Sequence, residues 1–172
     1  MSAQVKARRL IIADASPLIG LSRVGGLEWL APLFGSVVIT PIVLQEVLPG
    51  TNQRGEPEIQ AAITNGCLQV WRKPIAALPR DLGDLDAGAM QSIALALQLK
   101  PTTCLLLIDE RAGRAAANEC GLRIIGTAAV IGQAKKAGLI LQAKPVLAKL
   151  LASDFRMSAK LMLQILKDVG EG

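Results

Sequence analysis

"CLLLIDERAGRAAANECGLRIIGT", residues 104–127, is the stretch that decides the fold. Cys104 to Ile108 is apolar along its whole length, as expected of a strand in a parallel sheet covered on both faces. Asp109 and Glu110 follow it. A helix from Arg111 to Glu119 stops at Cys120-Gly121, and "LRIIG" gives the next strand. Thr127 then reads as the cap of a helix running to Lys136, with Gly138 as its stop. Strand, acid, helix, strand is a parallel crossover unit. A charge at the end of a buried strand must face solvent, take a partner or hold an ion.

The same order recurs upstream. "RLIIAD", ending at Asp14, is a short strand-like run. Ser16 reads as an N-cap with Pro17 at the first helical position, and that helix ends at Gly25-Gly26. "LEWLAPLF" gives a short helix and "SVVIT" a second strand. Thr40 and Pro41 repeat the cap-and-proline start for "PIVLQEVL", which places Glu46 on a helix just after a strand. The polar loop "GTNQRGEP" leads to a helix, "PEIQAAITNG", and an edge strand, "LQVW". After a loop from Arg72 to Asp84, Asp86 suits the N-cap of a helix through Leu99, on which Met90, Ile93, Ala94 and Leu97 form an apolar stripe. "KPVLAKLLA" and "SAKLMLQILKDV" are two closing helices.

Strands alternating with helices argue for an open α/β fold with a central, mostly parallel sheet and its ligand cleft at the carboxyl ends of the strands. Asp14 and Asp109 both stand at such ends, so the sheet can gather acids that are far apart in sequence. The 172 residues suit one domain, with a core over about 8–140 and a helical extension over about 141–172.

Composition narrows the chemistry. The chain has no histidine and no tyrosine, which excludes serine–histidine triads and histidine zinc sites. Cys67, Cys104 and Cys120 are odd in number and sit among apolar neighbours, as reduced core thiols do. A net charge of +5 admits an anionic partner, but the basic residues are scattered through "KARR" at the start, Arg72-Lys73, Arg111, Arg114 and Lys135-Lys136. Two tryptophans and two phenylalanines are too few for a base-stacking platform, so any nucleic acid is held mainly through phosphate. No stretch offers the roughly 20 apolar residues of a membrane span, and "MSAQVKARRL" lacks the features of a secretory signal. A cytoplasmic protein is expected.

A cleft lined by carboxylates repels itself. Hard oxygen ligands without histidine or thiolate select Mg²⁺ or Mn²⁺, ions that lower the pKa of bound water and stabilise in-line displacement at phosphorus.

"IIADASPLIGL" at 11–21, "VVITPIVLQEV" at 37–47 and "CLLLIDERAGRAAANECGLRIIGT" at 104–127 together resemble a PIN domain. The similarity is greatest to a bacterial and archaeal branch related to VapC-type toxin ribonucleases, and it covers nearly the whole chain. It implies a three-layer α/β/α architecture with extra C-terminal helices and an Mg²⁺- or Mn²⁺-dependent endoribonuclease. It also implies a role as the toxin of a toxin–antitoxin pair, a small antitoxin protein as partner and a homodimer. By position it implies Asp14, Glu46 and Asp109 as catalytic metal ligands, with Glu110, Gln91 and Asp86 as further candidates. Ser16, Arg111 and Arg114 are the residues it places against RNA.

One departure stands out. The branch reads Gly-Glu-x-Glu-Ala-Ile before its alanine and leucine helix, whereas this chain reads "GAMQSIALAL", with Ala89 and Gln91 in place of the two acids. Gln91 can offer only a carbonyl oxygen. Each singled-out residue also has an ordinary alternative. Asp14, Asp86 and Asp109 suit helix caps, Glu46 a solvated ion pair, and Glu110 a first-turn acid favoured by the helix dipole. Arg111 and Arg114 share a helix face and suit a surface pair as well as a phosphate contact. The missing acid opens two further readings: an RNA-binding protein without turnover, and an assembly protein that uses its apolar C-terminal helices.

Overall fold

The computed structural model describes residues 9–78 and 80–172. Most of the basic opening "KARR", and with it the start of the segment read as lacking a secretory signal, lies outside the described residues. Five strands form one sheet: β1 (Leu10–Ala13), β2 (Val37–Ile39), β3 (Leu68–Val70), β4 (Cys104–Leu107) and β5 (Ile124–Ile125). Their order is β3-β2-β1-β4-β5, and every pairing is parallel. Nine α-helices surround it among the described residues: α1 (Ala15–Arg23), α2 (Leu30–Phe34), α3 (Pro41–Val47), α4 (Glu56–Thr64), α5 (Ala87–Gln98), α6 (Arg111–Glu119), α7 (Thr127–Lys136), α8 (Ala143–Leu151) and α9 (Ala159–Asp168).

The two central strands show why the sheet needs helices on both faces. Ile11 and Ala13 of β1 and Leu105 and Leu107 of β4 join one apolar cluster, which α1, α3, α4, α7, α8 and α9 complete. Ile12, Cys104 and Leu106 face the other way, onto α5 and α6. All four positions of β4 are buried, which is why its sequence is a continuous apolar run rather than an alternating one. Cys104 is a buried free thiol whose pKa is raised by burial, so it behaves as a small apolar side chain.

Local chemistry fixes several helix starts as the sequence predicts. Thr40 Oγ1 accepts from the Val43 N–H at 3.3 Å, with Pro41 at the first helical position of α3. Asp86 Oδ1 accepts from the Ala89 N–H at 2.7 Å at the head of α5. Three readings are corrected. Helix α1 begins at Ala15 with Asp14 as its flanking N-cap residue, so Ser16 is an exposed first-turn residue and caps nothing. Helix α7 is flanked by Gly126, and Thr127 is its first helical residue, whose hydroxyl is turned to Asp109 rather than to the helix backbone. Along α5 the expected stripe holds at Ile93 and Ala94, which are buried, but burial extends to Ala89, Ser92, Leu95 and Ala96, and Met90 is 39% exposed.

The C-terminal helices are tied to the domain. Both Glu171 oxygens accept backbone N–H groups at the head of α8, from Ala143 at 2.7 Å and Lys144 at 2.9 Å. These bonds hold the Glu171 carboxyl below its ordinary pKa. No helix among the described residues is long and apolar enough to cross a membrane.

Candidate functional site

The chain lays β2 and β3 to one side of β1 and returns to place β4 and β5 on the other. Parallel α/β sheets open their ligand crevice at such a reversal, outside the carboxyl ends of the two strands that flank it. Asp14 leaves β1 at this point and Asp109-Glu110 leave β4. The Asp14 N–H donates to the Leu107 carbonyl at 2.9 Å, which locks the two strand ends together.

Asp14, Glu46 and Asp86 each bring a carboxylate oxygen to within 4.8 Å of the others. They arrive from three elements: the end of β1, the last turn of α3 and the head of α5. Asp14 is 3% exposed, while Glu46 and Asp86 are exposed at the rim. Asp14 Oδ1 is buried with no hydrogen-bond partner. Burial pushes the Asp14 carboxyl up to about 7; the Ala15 amide works against this, and Asp86, Glu46 and Glu110 add to it. Glu46 is also raised, by burial and by Asp86, and lowered by the Gly88 amide. The charged groups acting on Asp14 are all acids.

Gly88 sits beneath this cluster. A Cβ there would lie 2.5 Å from Glu46 Oε2 and 2.9 Å from its Cδ, so only glycine lets the Glu46 carboxylate rest on the first turn of α5. This is a close approach that the sequence signals only as a glycine near a helix start.

The other predicted residues have separate engagements. Asp109 is not among the three converging oxygens: its Oδ1 accepts from the Thr127 N–H at 2.8 Å and its Oδ2 from Thr127 Oγ1 at 2.6 Å. Burial raises its carboxyl, while the Thr127 bonds and Arg114 oppose the rise. Its neighbour Glu110 is exposed and close enough to act on Asp14. Gln91 Oε1 accepts from the Ile42 N–H at 3.0 Å, bracing the head of α3 against α5. Arg114 Nη1 donates to the Ile108 carbonyl at 2.9 Å, holding the end of β4. Arg111 and Ser16 are exposed. Asp86, weighed from sequence chiefly as a cap, both caps α5 through one oxygen and joins the cluster.

A family model described as a PIN domain matches residues 10–171. The chain belongs to the PIN domain family. PIN domains are generally nucleases, so this is a nuclease fold suited to hydrolase chemistry, and its all-parallel sheet between helical layers is the three-layer PIN architecture. No curated protein and no solved structure matches the chain.

A divalent ion is the group that PIN nucleases typically use, and the residues present fit one. A buried, partnerless carboxylate oxygen beside two further carboxylates, with hard oxygen donors throughout, is a donor set for Mg²⁺ or Mn²⁺. In this PIN domain the acid expected at position 89 is a fully buried alanine, and Asp86, one turn earlier, supplies a carboxylate instead.

Proposed function

We propose that the protein is a metal-dependent endoribonuclease that hydrolyses RNA phosphodiesters at the Asp14–Glu46–Asp86 cluster. The observation that carries this reading is the orphaned Oδ1 of Asp14, held at 3% exposure among acids alone. An isolated buried carboxylate is costly, and a cation is what relieves it. Asp14, Glu46 and Asp86 would hold the ion, with Glu110 beside them. Bound there, Mg²⁺ or Mn²⁺ would supply a water of lowered pKa and a positive charge against the negative charge that develops on the phosphate oxygens. The chain's own part is positional. The β1–β4 pairing fixes Asp14, the Gly88 amide steadies Glu46, and the Asp109–Thr127 and Arg114–Ile108 bonds stiffen the end of β4 that carries Glu110.

This assignment moves Asp109 from ligand to positioning residue and brings Asp86 in as the third acid. Arg111 and Ser16, exposed near the strand ends, remain the proposed contacts to the RNA backbone. The toxin role, the small antitoxin partner and the homodimer draw their support from the resemblance to VapC-type ribonucleases.

A second reading, RNA binding without turnover, is favoured by Ala89, whose apolar methyl is fully buried where the branch has a glutamate. One experiment separates the two. Purified protein is expected to cut single-stranded RNA in Mn²⁺ and to stop on chelation. Asp14→Asn should lower the rate at least 100-fold, the scale on which charge stabilisation contributes. Cleavage by Asp14→Asn at the parental rate would defeat the nuclease assignment, and RNA retention without any cleavage by the parent would establish the second reading.

A further inference from the structure

A cavity of about 290 Å³ opens beside the acidic cluster, and Glu46 belongs to both. Arg23, from the last turn of α1, and Arg54, from the loop before α4, line it as well. Arg23 Nε is buried without a hydrogen-bond partner, although Nη1 of the same side chain holds the Ser153 carbonyl. Its donors are therefore not all satisfied within the protein, and the guanidinium keeps hydrogen-bonding capacity for an acidic oxygen beside it.

The loop that carries Arg54 is fixed in place. Glu56 also lines the cavity, but its oxygens are turned to the loop backbone, accepting the Gln53 N–H at 2.7 Å and the Gly50 N–H at 3.3 Å. Asn52 and Gly55 hold left-handed conformations at φ 58° and 99°. Gly55 packs so closely on α1 that a Cβ would overlap Ser22 Oγ. A short loop turned by these two residues and packed on α1 brings Arg54 to the same cavity as Arg23.

We propose that this cavity is a phosphate subsite, in which Arg23 and Arg54 hold the backbone phosphate of the nucleotide adjoining the one at the acidic cluster. The inference rests on the nuclease reading for the identity of that neighbour. It makes the substrate a strand that continues past the cut on the Glu46 side rather than a terminal or mononucleotide ester.

The test is equilibrium binding of a fluorescent single-stranded RNA oligonucleotide across a salt series. The full chain carries Asp14→Asn so that no strand is cut. Adding Arg54→Gln should weaken binding several-fold and reduce the slope of log K against log salt by about 0.7, the loss of one phosphate contact on a single strand. Arg54→Lys should restore the slope. Arg123→Gln removes the same charge from an exposed residue just before β5, at the opposite edge of the sheet, and should leave the slope alone. Arg54→Gln behaving like Arg123→Gln would overturn the subsite. Metal-dependent cleavage by the parent is scored separately, so its absence counts against the nuclease reading while the slope alone decides the subsite.

Discussion

Burial leaves Asp14 about half protonated at neutral pH when no cation is bound, since its carboxyl is pushed up to about 7. Below pH 4 the group is neutral in the folded and the unfolded chain and affects stability in neither direction. Between about pH 4 and 7 the unfolded chain ionises while the folded one keeps its proton, so stability falls as pH rises and then levels off. The span corresponds to roughly 4 kcal/mol at 1.36 kcal/mol per pH unit. Urea unfolding of the metal-free protein should show Asp14→Asn gaining on the parent between pH 4.5 and 8 by a sizeable part of that figure; a constant gap would show that Asp14 is not the group responsible. Asp109 behaves differently, because Thr127 satisfies both of its oxygens. Thr127→Val keeps the shape but removes the hydroxyl donor, and should cost about 1–3 kcal/mol in the same assay. Asp14 was legible in the sequence because it directly ends a buried strand. The partnership of Asp109 with a residue 18 positions on was not, because it exists only once β4 and β5 have paired.

Helix α5 shows how an element-level pattern can be right in kind and displaced in detail. Its cap at Asp86 and its length were legible, since a capping carboxylate and an uninterrupted apolar period are local features. Ile93 and Ala94 of the expected stripe are buried, but Met90 is not: the helix packs on Ile12 and Leu106 of the sheet, while Met90 lines a surface groove with Ile75 and Leu78 of the preceding loop. The same turn contains the close approach of Gly88 to Glu46. Replacing an exposed helical glycine by alanine ordinarily stabilises by up to about 1 kcal/mol. Here the new methyl must displace the Glu46 carboxylate, so Gly88→Ala should remain folded, as judged by circular dichroism, and lose at least tenfold in Mn²⁺ affinity by calorimetry. Parental affinity in that variant would mean that Glu46 does not help to hold the ion.

At the scale of the molecule, the alternation of strands and helices made a parallel, doubly covered sheet legible, but not the strand order that puts β1 beside β4. That order depends on which edge of the sheet each crossover returns to, and it turns Asp14 and Glu110 into neighbours while α3 and α5 bring in Glu46 and Asp86. Four acids drawn from separate elements make the folded chain repel itself at one point, so a cation bound there is linked to folding as a whole. A ligand at 100 times its dissociation constant that binds only the folded state stabilises by about 2.7 kcal/mol. For a chain of this size, 1 kcal/mol shifts the melting temperature by about 2–4 °C, so saturating Mn²⁺ should raise Tm by roughly 5–10 °C. Because binding must expel the Asp14 proton below about pH 7, the shift should be smaller at pH 5.5 than at pH 7.5. Asp14→Asn should remove the shift at both pH values. Thermal melts of parent and variant, with and without Mn²⁺, measure all of this at once, and an equal Mn²⁺ shift in the two proteins would place the ion away from β1.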